Sequence, residues 1–125
     1  MTKGKITAIV GQAAIRTELK GEGDSTTAAM ATRFLLQLLE EGAPVHTVEV
    51  RVPPFGAVQV VEGPQHTRGT PPNVIEMDAA TWIALATGSL DWPAAVAAHR
   101  VSASGTRADL SEFLPIAWED PTADA

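Results

Sequence analysis

The 125-residue chain is 45% apolar and 19% charged, a balance that suits one folded domain and excludes a wholly disordered chain. Its formal charge of -6 is set against three lysines, Lys3, Lys5 and Lys20, and six arginines scattered from Arg16 to Arg107. Without a basic run to displace counterions, no nucleic-acid partner is expected, and charge alone does not call for a membrane surface. Zero cysteines exclude disulfides, thiolate nucleophiles and cysteine-held metals, so stability has to come from packing.

No window approaches the ~18 apolar residues of a spanning helix, and the lysines near the start are not followed by a signal-peptide core. The expectation is a soluble, unsecreted, cytoplasmic protein.

Residues 5–19 place Ile6, Ile9, Val10, Ala13 and Ala14 at helical spacing, predicting an apolar stripe on a first helix, with Gly11 and the β-branched residues counting against it. Gly21 to Asp24 punctuates the chain, and Asp24 or Ser25 can cap the next helix. From Thr26 to Glu41, Met30, Ala31, Phe34, Leu35, Leu38 and Leu39 recur with the helical period. Gly42 and Pro44 then stop that helix.

His46, Val48, Val50 and Val52 alternate with Thr47, Glu49 and Arg51, the period of a half-buried strand. Pro53 to Gly56 reads as a short turn into a second strand over Ala57 to Val61, making a hairpin. Gly63 to Asn73 is dense in proline and glycine and reads as a structured loop. Val74 to Met77 is a third strand, Asp78 caps a helix bearing Trp82, Leu85 and Ala86, and Gly88 ends it.

Asp91 caps a short alanine-rich helix with Pro93 in its first turn. Val101 to Ser104 reads as a last strand, and Thr106 with Asp109 approximates a capping box opening a final helix that faces Leu110, Phe113 and Leu114 inward. Residues 1–116 are thus one domain, and the acidic, proline-broken residues 117–125 are expected to be a mobile tail. The element order predicts an α/β (α+β) fold with a mostly antiparallel mixed sheet of four to five strands covered by about five helices.

Several of these segments carry a family likeness. Asp78 and Trp82 opening a helix, Gly88 closing it, and Val101-Ser102-Ala103-Ser104-Gly105 after an alanine-rich helix resemble the sterol carrier protein type two family. Val48-Glu49-Val50-Arg51-Val52-Pro53-Pro54-Phe55, the Gly63 to Asn73 loop, Thr81-Trp82 and Arg100 through Ser111 look more specifically like small bacterial sterol-carrier-like proteins, over about residues 28–116. The resemblance implies an apolar tunnel for lipid chains, sterols or fatty acyl groups, and no catalysis. The chain is also similar to the accessory domain of mycothiol-dependent maleylpyruvate isomerases, whose catalytic metal sits in another domain. Two residues depart from the family pattern: His99 stands where glycine is usual, and Thr106 where aspartate is usual.

For chemistry, His46, His66 and His99 are far apart in sequence and lack partner ligands, so no metal and no cofactor are expected. His66, Thr67, Arg68 and Thr70 gather a base, two hydroxyls and a guanidinium that can meet an anionic headgroup; the alternative is that Arg68 pairs with Glu62 or Glu76 and the threonines satisfy the loop backbone. Ser102 and Ser104 lack the Gly-x-Ser-x-Gly elbow of a nucleophile, and Thr106 reads as a helix cap. Phe34, Leu38, Val58, Trp82, Leu85 and Phe113 are the candidates to line a pocket if the interior is hollow, and plain core if it is not. Two functions remain from this reading: a non-enzymatic carrier of an apolar small molecule, and an accessory domain with a protein partner. Oligomeric state is left open by the sequence.

Overall fold

The computed structural model describes residues 5–42, 48–60 and 73–119. Helices α1 (Ala8–Leu19) and α2 (Ser25–Gly42) lead into strands β1 (Val48–Val52), β2 (Gly56–Val60) and β3 (Val74–Met77). Helices α3 (Ala79–Thr87) and α4 (Trp92–Ala97), strand β4 (Val101–Ser104) and a single 3-10 turn (Ser111–Phe113) follow. The sheet order is β2-β1-β3-β4. β1 pairs antiparallel with β2, and β3 with β4, while β1 and β3 run parallel. Among the described residues there are therefore four strands and four α-helices, the lower end of the expected sheet and one helix fewer than expected.

The expected hairpin is present, with Val52 opposite Gly56 and the Phe55 amide donating to the Val52 carbonyl at 2.9 Å. Alternation on β1 buries Val48, Val50 and Val52, and Ile75 and Met77 on β3 join them. This apolar sheet face forms one core with α2 and α3. The stripe of α2 matches its periodicity at Ala31, Phe34, Leu35 and Leu39, all buried, whereas Met30 and Leu38 are half-buried at its flanks. Val61, His46, Thr47 and the Gly63 to Pro72 loop lie outside the described residues.

Helix starts follow side-chain chemistry. The Asp24 carboxylate accepts from the Thr27 amide at 3.0 Å, and the Thr27 hydroxyl accepts from the Asp24 amide at 2.8 Å, a reciprocal cap that satisfies two orphan donors. Asp78 accepts from the Thr81 amide at 2.8 Å and Asp91 from the Ala94 amide at 2.9 Å. Gly88 closes α3 in the left-handed region, φ 93°. His99, just past α4, also has a positive φ of 58°, a conformation that glycine adopts without the steric cost of a Cβ.

Two expectations are corrected. The first helix forms, but its buried face is Gly11, Gln12, Ala14 and Ile15, while Ile9 and Val10 remain 68% and 47% exposed. Gly11 sets this rotation. A Cβ there would stand 2.2 Å from the Phe34 ring carbon Cγ, so only a bare backbone lets α1 settle against α2 in this orientation. Gln37 then locks the pair by accepting from the Ile6 amide and donating to its carbonyl, both at 3.0 Å.

The second correction concerns the final helix. Thr106 caps no helix; residues 105–107 form a turn, and the described helical structure beyond it is the 3-10 turn. A competing side-chain acceptor explains the loss, because Asp109 takes the Ser111 amide at 2.7 Å, a donor that a helix capped by Thr106 would give to the Arg107 carbonyl, while the Asn73 side chain accepts the Arg107 amide at 2.9 Å and holds the turn. Pro115 leaves no length for a helix to recover.

Two measurements test this account. Gly11→Ala should lower stability by about 1–3 kcal/mol through overpacking against Phe34, although alanine is the better helix former; a denaturant midpoint at or above the wild-type value would contradict the contact. The Asp78 carboxyl is held below its ordinary pKa by its hydrogen bonds with Thr81, with a smaller contribution from the Arg100 charge. Its folded pKa is depressed, so its stabilisation is complete above the unfolded value near 4 and is lost as pH falls through the lower folded value. Asp78→Asn keeps the cap acceptor and should flatten this part of the acid unfolding curve.

Candidate apolar groove

Leu38 and Leu39 fall on the last turns of α2, where the periodicity carries Leu39 into the core and leaves Leu38 on its edge. The chain after β4 crosses this end of the helix and brings Phe113, Pro115, Ile116 and Ala117 opposite the two leucines. Between them is an open groove of about 450 Å³, with Glu41 and Gly42 at its end. Glu41 accepts from Lys5 at 3.1 Å, an exposed ion pair. The groove walls therefore mix apolar side chains with nearly as much polar surface, and one carboxylate stands at the rim.

A second depression of about 200 Å³ lies on the other side of Pro115. Leu85, Leu90, Trp92 and Leu114 supply its apolar surface, and Asp91 and Ser111 its polar atoms. Asp91 is already engaged as the cap of α4. Gly88 borders this depression as well, where a Cβ would meet Pro115 in ordinary contact at 3.4 Å, so its positive φ rather than packing calls for glycine.

The candidate residues separate into three groups. Leu38 and Phe113 line the groove, and Leu85 lines the smaller depression while being almost fully buried. Phe34 and Trp82 are packed core residues that line neither, and Val58 packs half-buried against the same core from β2. His66 and Arg68 lie outside the described residues. Leu39, Pro115 and Ile116 were not singled out from the sequence. Only contact between distant segments makes them neighbours, and no local spacing signals that.

Charged groups are few at these surfaces, with Glu41 on the groove and Asp91 on the smaller depression. Among the described residues, the carboxylates with clearly lowered pKa, Asp24 and Asp78, both accept from helix-start amides. Arg51 is held above its usual value by its hydrogen bond and charge contact with Glu49, 2.8 Å away. Ser102 and Ser104 are exposed on the edge strand β4. Among the described residues, no group of three His, Cys, Asp or Glu side chains can hold a metal ion, and no helix is long and apolar enough to cross a membrane.

A family model described as "Bacterial SCP ortholog" matches residues 24–116, from the cap of α2 to the far wall of the groove. The chain belongs to this bacterial sterol-carrier-like family. No curated protein matches it significantly. Helix α1 and residues 117–119 lie outside the matched span, so apart from Ala117 the groove sits within the family region and the elements beside it do not.

Proposed function

We propose that the protein is a non-enzymatic carrier of an apolar small molecule of the lipid, sterol or fatty acyl type, acting in the cytoplasm. The observation that carries this reading is the groove between Leu38 and Phe113 to Ile116. Its volume, about 450 Å³, falls in the range of small-molecule sites, and its walls offer an acyl chain apolar surface without a competing cluster of charges. Burial of a chain there would be driven at roughly 25 cal/mol per Å² of apolar area removed from water. Membership of a sterol-carrier-like family supports the same assignment.

An accessory role toward a protein partner is the second reading. It is favoured by Ile9 and Val10, two large apolar side chains exposed on a helix outside the family-matched span. Native mass spectrometry with organic extraction distinguishes the two. A stoichiometric lipid-like adduct, or uptake of oleate or cholesterol by the apo protein, supports carriage; an apo mass that stays unchanged with both overturns it in favour of the partner reading.

Leu38→Glu provides the site-specific measurement. A carboxylate on the groove wall, which desolvates at a cost and repels the oleate headgroup, should weaken oleate binding about tenfold or more, equivalent to about 1.4 kcal/mol. Because Leu38 is only half-buried, the melting temperature should change little beside that loss. Unchanged oleate affinity in this variant would exclude the groove as the site.

A further inference from the structure

The groove and the smaller depression are separated by one piece of chain. Pro115 borders both, with Leu114 on one side and Ile116 and Ala117 on the other. Leu114, Ile116 and Trp118 each lie half-buried against the core, covering apolar surface with the chain's own side chains. Among the described residues, the segment's backbone tie to the body of the protein is the Ile116 amide donating to the Ala86 carbonyl at 2.8 Å.

Beyond the groove the segment ends in a clasp. Arg16 of α1 donates through Nε and Nη2 to one oxygen of Glu119, at 3.2 and 2.9 Å, and its guanidinium lies 5.9 Å from the centre of the Trp118 ring. The buried Gln12 side-chain Oε1 accepts from the same Nη2 at 3.2 Å and so fixes the direction of the guanidinium. Both partners of the ion pair are substantially exposed, Arg16 at 40% and Glu119 at 52%, and exposed pairs of this kind are weak and salt-sensitive. Both halves of the clasp, Arg16 and Trp118 with Glu119, fall outside the residues that match the family.

We propose that residues 114–119 form a latched strap, with Arg16 as the catch, whose release joins the groove and the smaller depression into one apolar trough. The proposal rests on the carrier reading for what occupies the trough, but not for the latch itself. A segment held by one described backbone bond, three half-buried side chains and a solvent-exposed clasp can open locally while the core remains intact. The closed strap competes with cargo for the surface beneath Leu114 and Ile116. Apparent affinity therefore scales with the fraction of molecules whose strap is open. The occupant is a single-chain amphiphile, narrow enough to lie along a trough and long enough to pass under Pro115.

Arg16→Gln and Glu119→Gln in the full chain test this by two independent readouts. Amide exchange at Ile116 in the free protein reads the latch without any ligand; both variants should accelerate it about fivefold while Trp82 and Val50 amides keep their protection. Monoolein, which is uncharged and so cannot act as a direct ion-pair partner of Arg16, reads the trough. Its affinity should rise by a similar factor in both variants, and high salt should move the wild type toward them. Ile116 exchange at the wild-type rate in both variants would overturn the latch, as would weaker monoolein binding at an unchanged melting temperature. Faster Ile116 exchange with no monoolein binding to any form would support the latch and overturn the carrier reading.

Discussion

Trp82 is fully buried, and a tryptophan without access to water must place its one donor somewhere. The indole Nε1 donates to the Thr32 carbonyl of α2 at 3.2 Å, fifty residues away in sequence. This single bond fixes the height of α3 against α2, and both helices then share the apolar face of the sheet. The remaining sides of α2 are claimed as well. Phe34 occupies the space left by Gly11 of α1, Leu36 Cδ1 would lie within 3.4 Å of a Cβ at Gly56 of β2, and Arg33 donates to the Phe55 carbonyl at 3.1 Å. A helix gripped on these sides has its surplus apolar side chain at Leu38, beside its last turn, and that is where the groove lies.

The parts of the fold legible in the sequence are those set by local rules. Alternation on β1, the periodicity of α2, the caps at Asp24, Asp78 and Asp91 and the stop at Gly88 depend on residues within a few positions of one another. They appear in the structure as read. The face of α1 was not legible. Ile9 and Val10 carry the hydrophobic signal, yet the helix turns toward Phe34 the one glycine that allows close approach. Steric permission at Gly11 outweighs the hydrophobic preference of two larger side chains.

Asn73 illustrates the same limit for polar groups. In the sequence it ends a proline-rich loop, with nothing to mark it as structural. In the fold it is buried, its carbonyl accepts from the Glu49 amide at 2.9 Å, and its side chain takes the Arg107 amide. It thereby joins the start of β3 to β1 and to the turn after β4. A buried carboxamide has to be satisfied, and Asn73 is satisfied by the Arg107 amide, which pins the turn after β4 to the start of β3. The candidate site was legible to a similar degree. Leu38 and Phe113 stand out as large apolar residues, but their opposing positions depend on how the last part of the chain runs.

That route depends on the missing helix. Nine residues from Thr106 to Leu114 would advance about 14 Å as an α-helix, against about 30 Å when fully extended. β4 lies at the edge of the sheet farthest from β2, whereas α2 packs toward β2 and α1 packs on α2. A chain leaving β4 must therefore cross the molecule to bring Ile116 to Ala86 and Glu119 to Arg16. With one 3-10 turn in place of a helix, it has the reach to make that crossing. The side-chain acceptor at Asp109 that diverts the Ser111 amide from a regular helix is thus also what allows the last segment to become a wall of the groove.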